Sequence, residues 1–185
     1  MSIRNSLKTL SLVTALALAT PAFAATVMVG GAAMFPNKTI VDNAVNSADH
    51  TTLVAAVKAA GLVDTLEGPG PFTVFAPVNA AFSALPAGTV DMLLKPENKD
   101  TLVKILTYHV VPGTITFNDL KSKVKKGNGM ATLKTVSGGT LIAMMNGPSN
   151  IVIKDEKGDV ADITTYDVLQ SNGVIHSIDK VLLPR

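Results

Sequence analysis

Three histidines, His50, His109 and His176, are the residues of this 185-residue chain best suited to move a proton or hold a metal ion near neutral pH. No two of them stand in an H-x-x-x-H arrangement, the spacing that sets two imidazoles on one face of a helix. The chain has no cysteine, which excludes thiol catalysis, thiolate-bound zinc and disulfide cross-links. A serine hydrolase of the strained-elbow kind needs a G-x-S-x-G pentapeptide, and none occurs. The glycine-rich stretches "GPGPF" and "KKGNGMA" lack the helix and lysine of a phosphate cradle. The acidic turn "KDEKGD" (154–159) lacks the regular aspartate spacing and closing glutamate of a calcium loop, and reads as a solvated hairpin turn.

His176 lies in "NGVIHSIDKVLLP", a turn pair running into an apolar strand. Strand alternation sends Val174, His176 and Ile178 to one face and Ile175, Ser177, Asp179 and Val181 to the other. His176 and Asp179 therefore cannot form a catalytic pair within the strand. A neutral, buried imidazole bonding backbone carbonyls is the expected role, because buried polar groups are normally satisfied. Tyr108-His109 opens "YHVVPG", read as a short strand and turn. Either its two rings pack and cap a neighbouring loop, or they form a binding edge; the spacing leaves both open.

These residues need a scaffold to hold them. Arg4 and Lys8, the apolar run Leu10–Ala19 and the small-x-small triplet Ala22-Phe23-Ala24 make 1–24 an expected cleaved secretory signal. That apolar run is too short for a permanent membrane span. Without Arg4 and Lys8 the sixteen basic residues become fourteen, matching the fourteen acidic ones, so the remaining chain is neutral. A neutral chain with no tryptophan and few aromatics gives no reason to expect nucleic acid or a base-stacking site. Residues 25–34 read as a flexible lead-in, and 35–184 as a single domain.

Within that domain helical signals come first. Thr39 suits an N-cap before Ile40, Val41, Ala44 and Val45, and Gly61 suits the end of a helix running from about His50 to Ala60. "FTVFAP" reads as a buried strand ended by Pro77, with Asn79 placed to cap a short helix through Phe82. "PAGTVDMLL" and "PENKDTLVKILT" read as two more helices, and "KSKVKK" as a solvated loop or helix face. Beyond Lys126 strand-sized runs alternate with "SGG", "NGPS", "EKGD" and "SNG", each with turn chemistry. Helices clustered first and hairpins last predict an α+β fold.

Three blocks resemble the fasciclin domain family. "FTVFAPVNAAF" (72–82) resembles its first signature box, "YHVVPG" (108–113) its tyrosine-histidine motif, and "SNGVIHSIDKVLLP" (171–184) its second box. The resemblance implies a wedge of short β-strands with an N-terminal set of helices packed on one side. It implies structural roles for Asn79, Asn172, Gly173, His176 and Asp179. It also implies an exported adhesion or matrix-interaction module with no enzymatic activity, cofactor or metal, like the small secreted bacterial members.

In animal members the tyrosine-histidine motif and an Asp-Ile pair are implicated in integrin binding. The matching positions are Tyr108, His109, Asp167 and Val168, which are expected to contribute to a surface patch for a protein, cell-surface or matrix partner. Val78 stands where the family usually has threonine, removing a hydroxyl from the first box. Two other classes remain open from the residues alone: a periplasmic small-ligand or polysaccharide-binding protein, and a metal-dependent enzyme.

Overall fold

The structure is a computed structural model that describes residues 26–185; the expected signal segment lies outside the described residues. The first ordered feature is a hairpin of β1 (Val27–Val29) and β2 (Ala32–Met34), where a flexible lead-in was expected. Gly30 and Gly31 both take positive φ, 56° and 75°, the geometry a two-residue hairpin turn requires. Val29 and Met34 are buried, and the Gly30 carbonyl accepts the Ala48 N–H, so the hairpin is packed onto the domain.

Four short helices follow around one strand. Helix α1 (Ile40–Ala44) begins with a reciprocal capping box between Thr39 and Asp42. Helix α2 (Thr51–Ala60) ends at Gly61, whose φ of 71° closes the helix in the left-handed region. Helix α3 (Val63–Glu67) leads into β3 (Phe72–Pro77), followed by α4 (Asn79–Ser83). Then come α5 (Thr89–Leu93), α6 (Lys99–Tyr108) and β4 (Val110–Pro112).

Helix α7 (Phe117–Lys126) decides between the loop and helix-face readings of "KSKVKK" and begins four residues earlier. Its signals are a Thr116–Asp119 capping box and the buried pair Leu120 and Val124, four residues apart. Its lysines form the solvated face expected for "KSKVKK".

The remaining strands are β5 (Met130–Lys134), β6 (Thr140–Met145), β7 (Ile151–Lys154), β8 (Val160–Gln170) and β9 (Gly173–Ile178). They join β3 and β4 in one seven-stranded sheet ordered β4-β3-β9-β8-β7-β6-β5. Within this sheet only the β3–β9 pair is parallel, running from Phe72 opposite Gly173 to Pro77 opposite Ile178. The two signature boxes are thus neighbours in space. The sheet curls until its edges approach, with the Val136 N–H donating to the Val110 carbonyl. This is the α+β wedge expected, with the early helices on one side; α7 instead sends Leu120 and Val124 into the core of the curled sheet.

Strands β3 and β9 separate two cores. One packs the early helices against β3 and β9, using Leu53, Val57, Leu106 and Ile175. The other fills the curled sheet, using Phe75, Leu141, Ile153 and Leu182. Strand β9 is buried along its whole length because it faces both.

Candidate functional site

The tyrosine-histidine motif is the end of a helix, not a strand. Tyr108 is the last residue of α6 and His109 its C-cap, so strand alternation does not govern them. Both are buried, at 0% and 3% exposure. The Tyr108 hydroxyl donates to the Thr140 carbonyl at 2.8 Å and accepts the Glu156 N–H at 3.0 Å. Burial pushes its pKa up to about 12. A Cβ on Gly139 would lie 2.6 Å from the buried Tyr108 ring, so glycine lets the turn before β6 pass close to it.

His109 bridges two backbone segments. Its Nε2 accepts the Leu182 N–H at 2.9 Å, which places the ring proton on Nδ1, and Nδ1 donates to the Ile105 carbonyl at 2.8 Å. Burial lowers its pKa to about 4, so the ring is neutral at pH 7. Protonation would put a second hydrogen where Leu182 already donates.

His176 uses the opposite tautomer for the same purpose. Nδ1 accepts the Asp167 N–H at 3.3 Å, and Nε2 donates to the Ile115 carbonyl at 2.8 Å. Its ring stacks on Phe75 with centroids 5.7 Å apart. Burial lowers its pKa as well. Asp179 faces elsewhere, its Oδ1 accepting the Asp162 N–H at 2.8 Å.

Asp167 sits at an irregularity in β8, where its φ of 53° is a left-handed conformation that costs a non-glycine residue energy. Its carboxylate accepts the Phe117 N–H at 2.7 Å, placing negative charge at the start of α7, where the helix dipole favours it. Val168, next along, is buried.

The four expected contact residues are therefore connected through the interior. The His109 carbonyl accepts the Phe75 N–H, Phe75 stacks on His176, and His176 accepts the Asp167 N–H. This corrects the expectation of a patch made by their own side chains. Tyr108, His109 and Val168 have no surface to offer, and Asp167 is half-buried with one oxygen engaged. The surface above them belongs to other residues. Val136 is 46% exposed and bonded to the backbone of Val110, and Leu169 is 44% exposed beside Val168.

Amide side chains tie each signature box to the early helices. Asn172 Oδ1 accepts the Ile40 N–H at the start of α1, and Nδ2 donates to the Leu66 and Gly68 carbonyls. A Cβ on Gly173 would stand 2.1 Å from the Phe72 carbonyl oxygen, a contact no side chain can make. Asn79 does not cap its own helix, as the spacing had suggested. Val78 occupies the N-cap position of α4 and has no hydroxyl to offer. Asn79 instead accepts the Thr52 N–H of α2 at 3.0 Å and donates to the Ala48 carbonyl at 2.8 Å.

Two polar anchors escaped the sequence reading. Asp155 is buried in the "KDEKGD" turn, where Oδ1 accepts the N–H groups of Lys157, Gly158 and Asp159 and Oδ2 accepts that of Leu183. Asn43 bonds the Phe35 backbone in both directions and the Gln170 side chain. The clustered turn residues around Asp155 were a readable signal; the Asn43 partners, the Phe35 backbone and the distant Gln170, left none. Among the described residues no group of three histidine, aspartate or glutamate side chains converges to hold a metal ion.

The Fasciclin domain family model matches residues 48–184, and the chain belongs to the fasciclin domain family. It is 51% identical over 148 residues to Protein sll1483 of Synechocystis sp., a match spanning 79% of this chain and 73% of that one. It is 38% identical over 144 residues to Immunogenic protein MPB70 of Mycobacterium bovis, covering 75% of this chain and 65% of the relative. Human periostin is 30% identical over 134 residues, 72% of this chain but 14% of periostin. Among solved structures, a FAS1 domain pair from the insect cell adhesion molecule Fasciclin I superposes with a TM-score of 0.70 at 20% identity, covering 80% of this chain and 51% of that chain. That last likeness speaks to the fold. No helix among the described residues is long and apolar enough to cross a membrane.

Proposed function

We propose that this chain is an exported, non-catalytic adhesion module, working in the periplasm or outside the cell, that binds a protein, cell-surface or matrix component. The observation that carries this reading is the use made of the family's polar side chains. His109 and His176 each have both ring nitrogens bonded to backbone groups, leaving neither free to take up a substrate proton or a metal ion. Membership in the fasciclin domain family supports it.

In this reading Tyr108, His109, Asp167 and Val168 act from beneath the binding patch. They fix the backbone on which the exposed neighbours Val136 and Leu169 are carried. Modest-affinity recognition by apolar side chains set among polar ones fits a neutral domain.

The test is retention of the purified domain on surfaces coated with extracellular matrix or with whole cells. Val136→Asp with Leu169→Asp should weaken retention while leaving the melting temperature within a few degrees of wild type. Equal retention by the folded double variant would move the patch elsewhere.

A further inference from the structure

Three Asn-Gly pairs occur in the chain: Asn128-Gly129, Asn146-Gly147 and Asn172-Gly173. This dipeptide is chemically fragile, because glycine has no side chain to keep its backbone nitrogen away from the asparagine amide carbon. Once deprotonated, that nitrogen can attack the carbon and close a succinimide ring. By sequence the three pairs are alike. The fold separates them.

Asn172 is held on both sides of its amide. Its Oδ1 accepts the Ile40 N–H at 3.0 Å, and its Nδ2 donates to the Leu66 and Gly68 carbonyls. Gly173 is fixed in β9 against the Phe72 carbonyl oxygen. Neither group can swing towards the other without breaking these ties. Asn128 is exposed, but the nitrogen that would attack is engaged. The Gly129 N–H donates to the Val124 carbonyl at 2.9 Å, closing the end of α7.

Asn146-Gly147 lacks both restraints. The pair is exposed in the 146–150 loop between β6 and β7. Among the described residues the Gly147 N–H has no hydrogen-bond partner, and a Cβ on Gly147 would meet nothing within 4 Å, so the loop has room to turn. The Asn146 side chain keeps one long tie, Nδ2 donating to Asp162 Oδ1 at 3.3 Å. The firmer anchor is Asn150, whose Nδ2 reaches the same oxygen at 2.8 Å while its Oδ1 accepts the Tyr166 hydroxyl.

We infer that Asn146 is a self-modification site, deamidating in the folded chain ahead of both other Asn-Gly pairs. The Gly147 nitrogen gives up its proton and bonds to Asn146 Cγ; the Cγ–Nδ2 bond breaks, and Nδ2 leaves with a proton as ammonia. Water then opens the ring, at Cγ to give aspartate or at the backbone carbonyl to give isoaspartate. Either product puts a carboxylate where an amide donated to Asp162, so an attraction becomes a repulsion between like charges. Isoaspartate also lengthens the main chain at the residue whose N–H donates to the Asn150 carbonyl. The β6–β7 hairpin therefore loosens as the protein ages, whatever the domain binds.

The folded full chain is incubated in mildly alkaline buffer beside a sample in denaturant, and all three pairs are followed by peptide mass mapping with isoaspartate detection. In the folded chain Asn146 should convert at least about fivefold faster than Asn128, the worth of the Gly129 hydrogen bond, with Asn172 slower still. In denaturant the three rates should draw together. Asn146→Asp, which copies one product, should lower the melting temperature by a few degrees. Asn128 or Asn172 reacting as fast as Asn146 in the folded chain would overturn the site, as would conversion of Asn146 in denaturant alone. An Asn146→Asp chain that melts with the wild type would overturn the loosening of the hairpin.

Discussion

The sheet-side and helix-side cores draw on the same kinds of aliphatic side chain, yet they pack differently. Inside the curled sheet Phe75, Tyr108, Leu120, Leu141, Ile151, Ile153, Ile178 and Leu182 have no exposure at all. On the helix side every core residue keeps at least a trace, and a cavity remains. The reason is geometric. Strands β5 to β9 hold one another in a continuous ladder, so their inward side chains meet at fixed spacing. Helices α1, α3 and α4, of five residues each, lay short and separately angled ridges on the sheet. Their grooves match it less completely.

That contrast can be tested directly. Leu141→Ala in the sheet core should cost about 4–5 kcal/mol, near the top of the range for such changes, because the surrounding ladder cannot collapse into the hole. Leu53→Ala beside the existing cavity should cost only about 2–3 kcal/mol. Denaturant unfolding of both variants measures the difference, and equal losses would mean the two cores are equally well packed.

Acid should act at the seam between the cores, where His109 borders the cavity and its neighbour Tyr108 lies in the sheet core. The His109 pKa falls from the ordinary 6.5 unfolded to about 4 folded, so between these values the unfolded chain binds more protons. Stability from this group is intact above about pH 6.5 and declines as pH falls towards 4, by about 3 kcal/mol in all. His176, also lowered by burial, adds in the same direction. Chemical denaturation across this range should show the loss, and His109→Gln should flatten part of the slope while lowering stability at pH 7.

A smaller effect is expected for Tyr108→Phe, which leaves the Glu156 N–H without its acceptor and should cost about 1–3 kcal/mol. Smallest, and opposite in sign, is Val78→Thr. Val78 already has the extended backbone of an N-cap, with φ −73° and ψ 164°. A threonine hydroxyl there can accept an N–H of α4, and the gain should be about 1 kcal/mol. A melting-temperature increase would show that the helix side, unlike the sheet side, retains an easily repaired defect.

Much of the fold was legible because local chemistry and tertiary position agree. Thr39 caps α1 and Gly61 ends α2 as read, since capping depends on residues a few positions apart. The separation of His176 from Asp179 followed from alternation in a regular strand. The hairpin at 27–34 was misread because a Gly/Ala-rich segment resembles a loose terminus until a core covers its Val29 and Met34. Tyr108-His109 was misread as a strand because the helix before it ends only at the histidine, and no breaker marks the junction. Asn79 was assigned to its own helix because its true partners, Ala48 and Thr52, lie about one helix pair away in sequence.

The sequence by itself determined the α+β class, the run of strands after Lys126 and the family, because these depend on periodicity, turn residues and short motifs in register. Only the tertiary structure decided what the motif side chains do. Whether an imidazole faces solvent or bridges Leu182 to Ile105 depends on which distant backbone groups the fold delivers to its two nitrogens. The cavity, too, belongs to no single segment: it exists because helices and sheet from across the chain meet without filling the space between them.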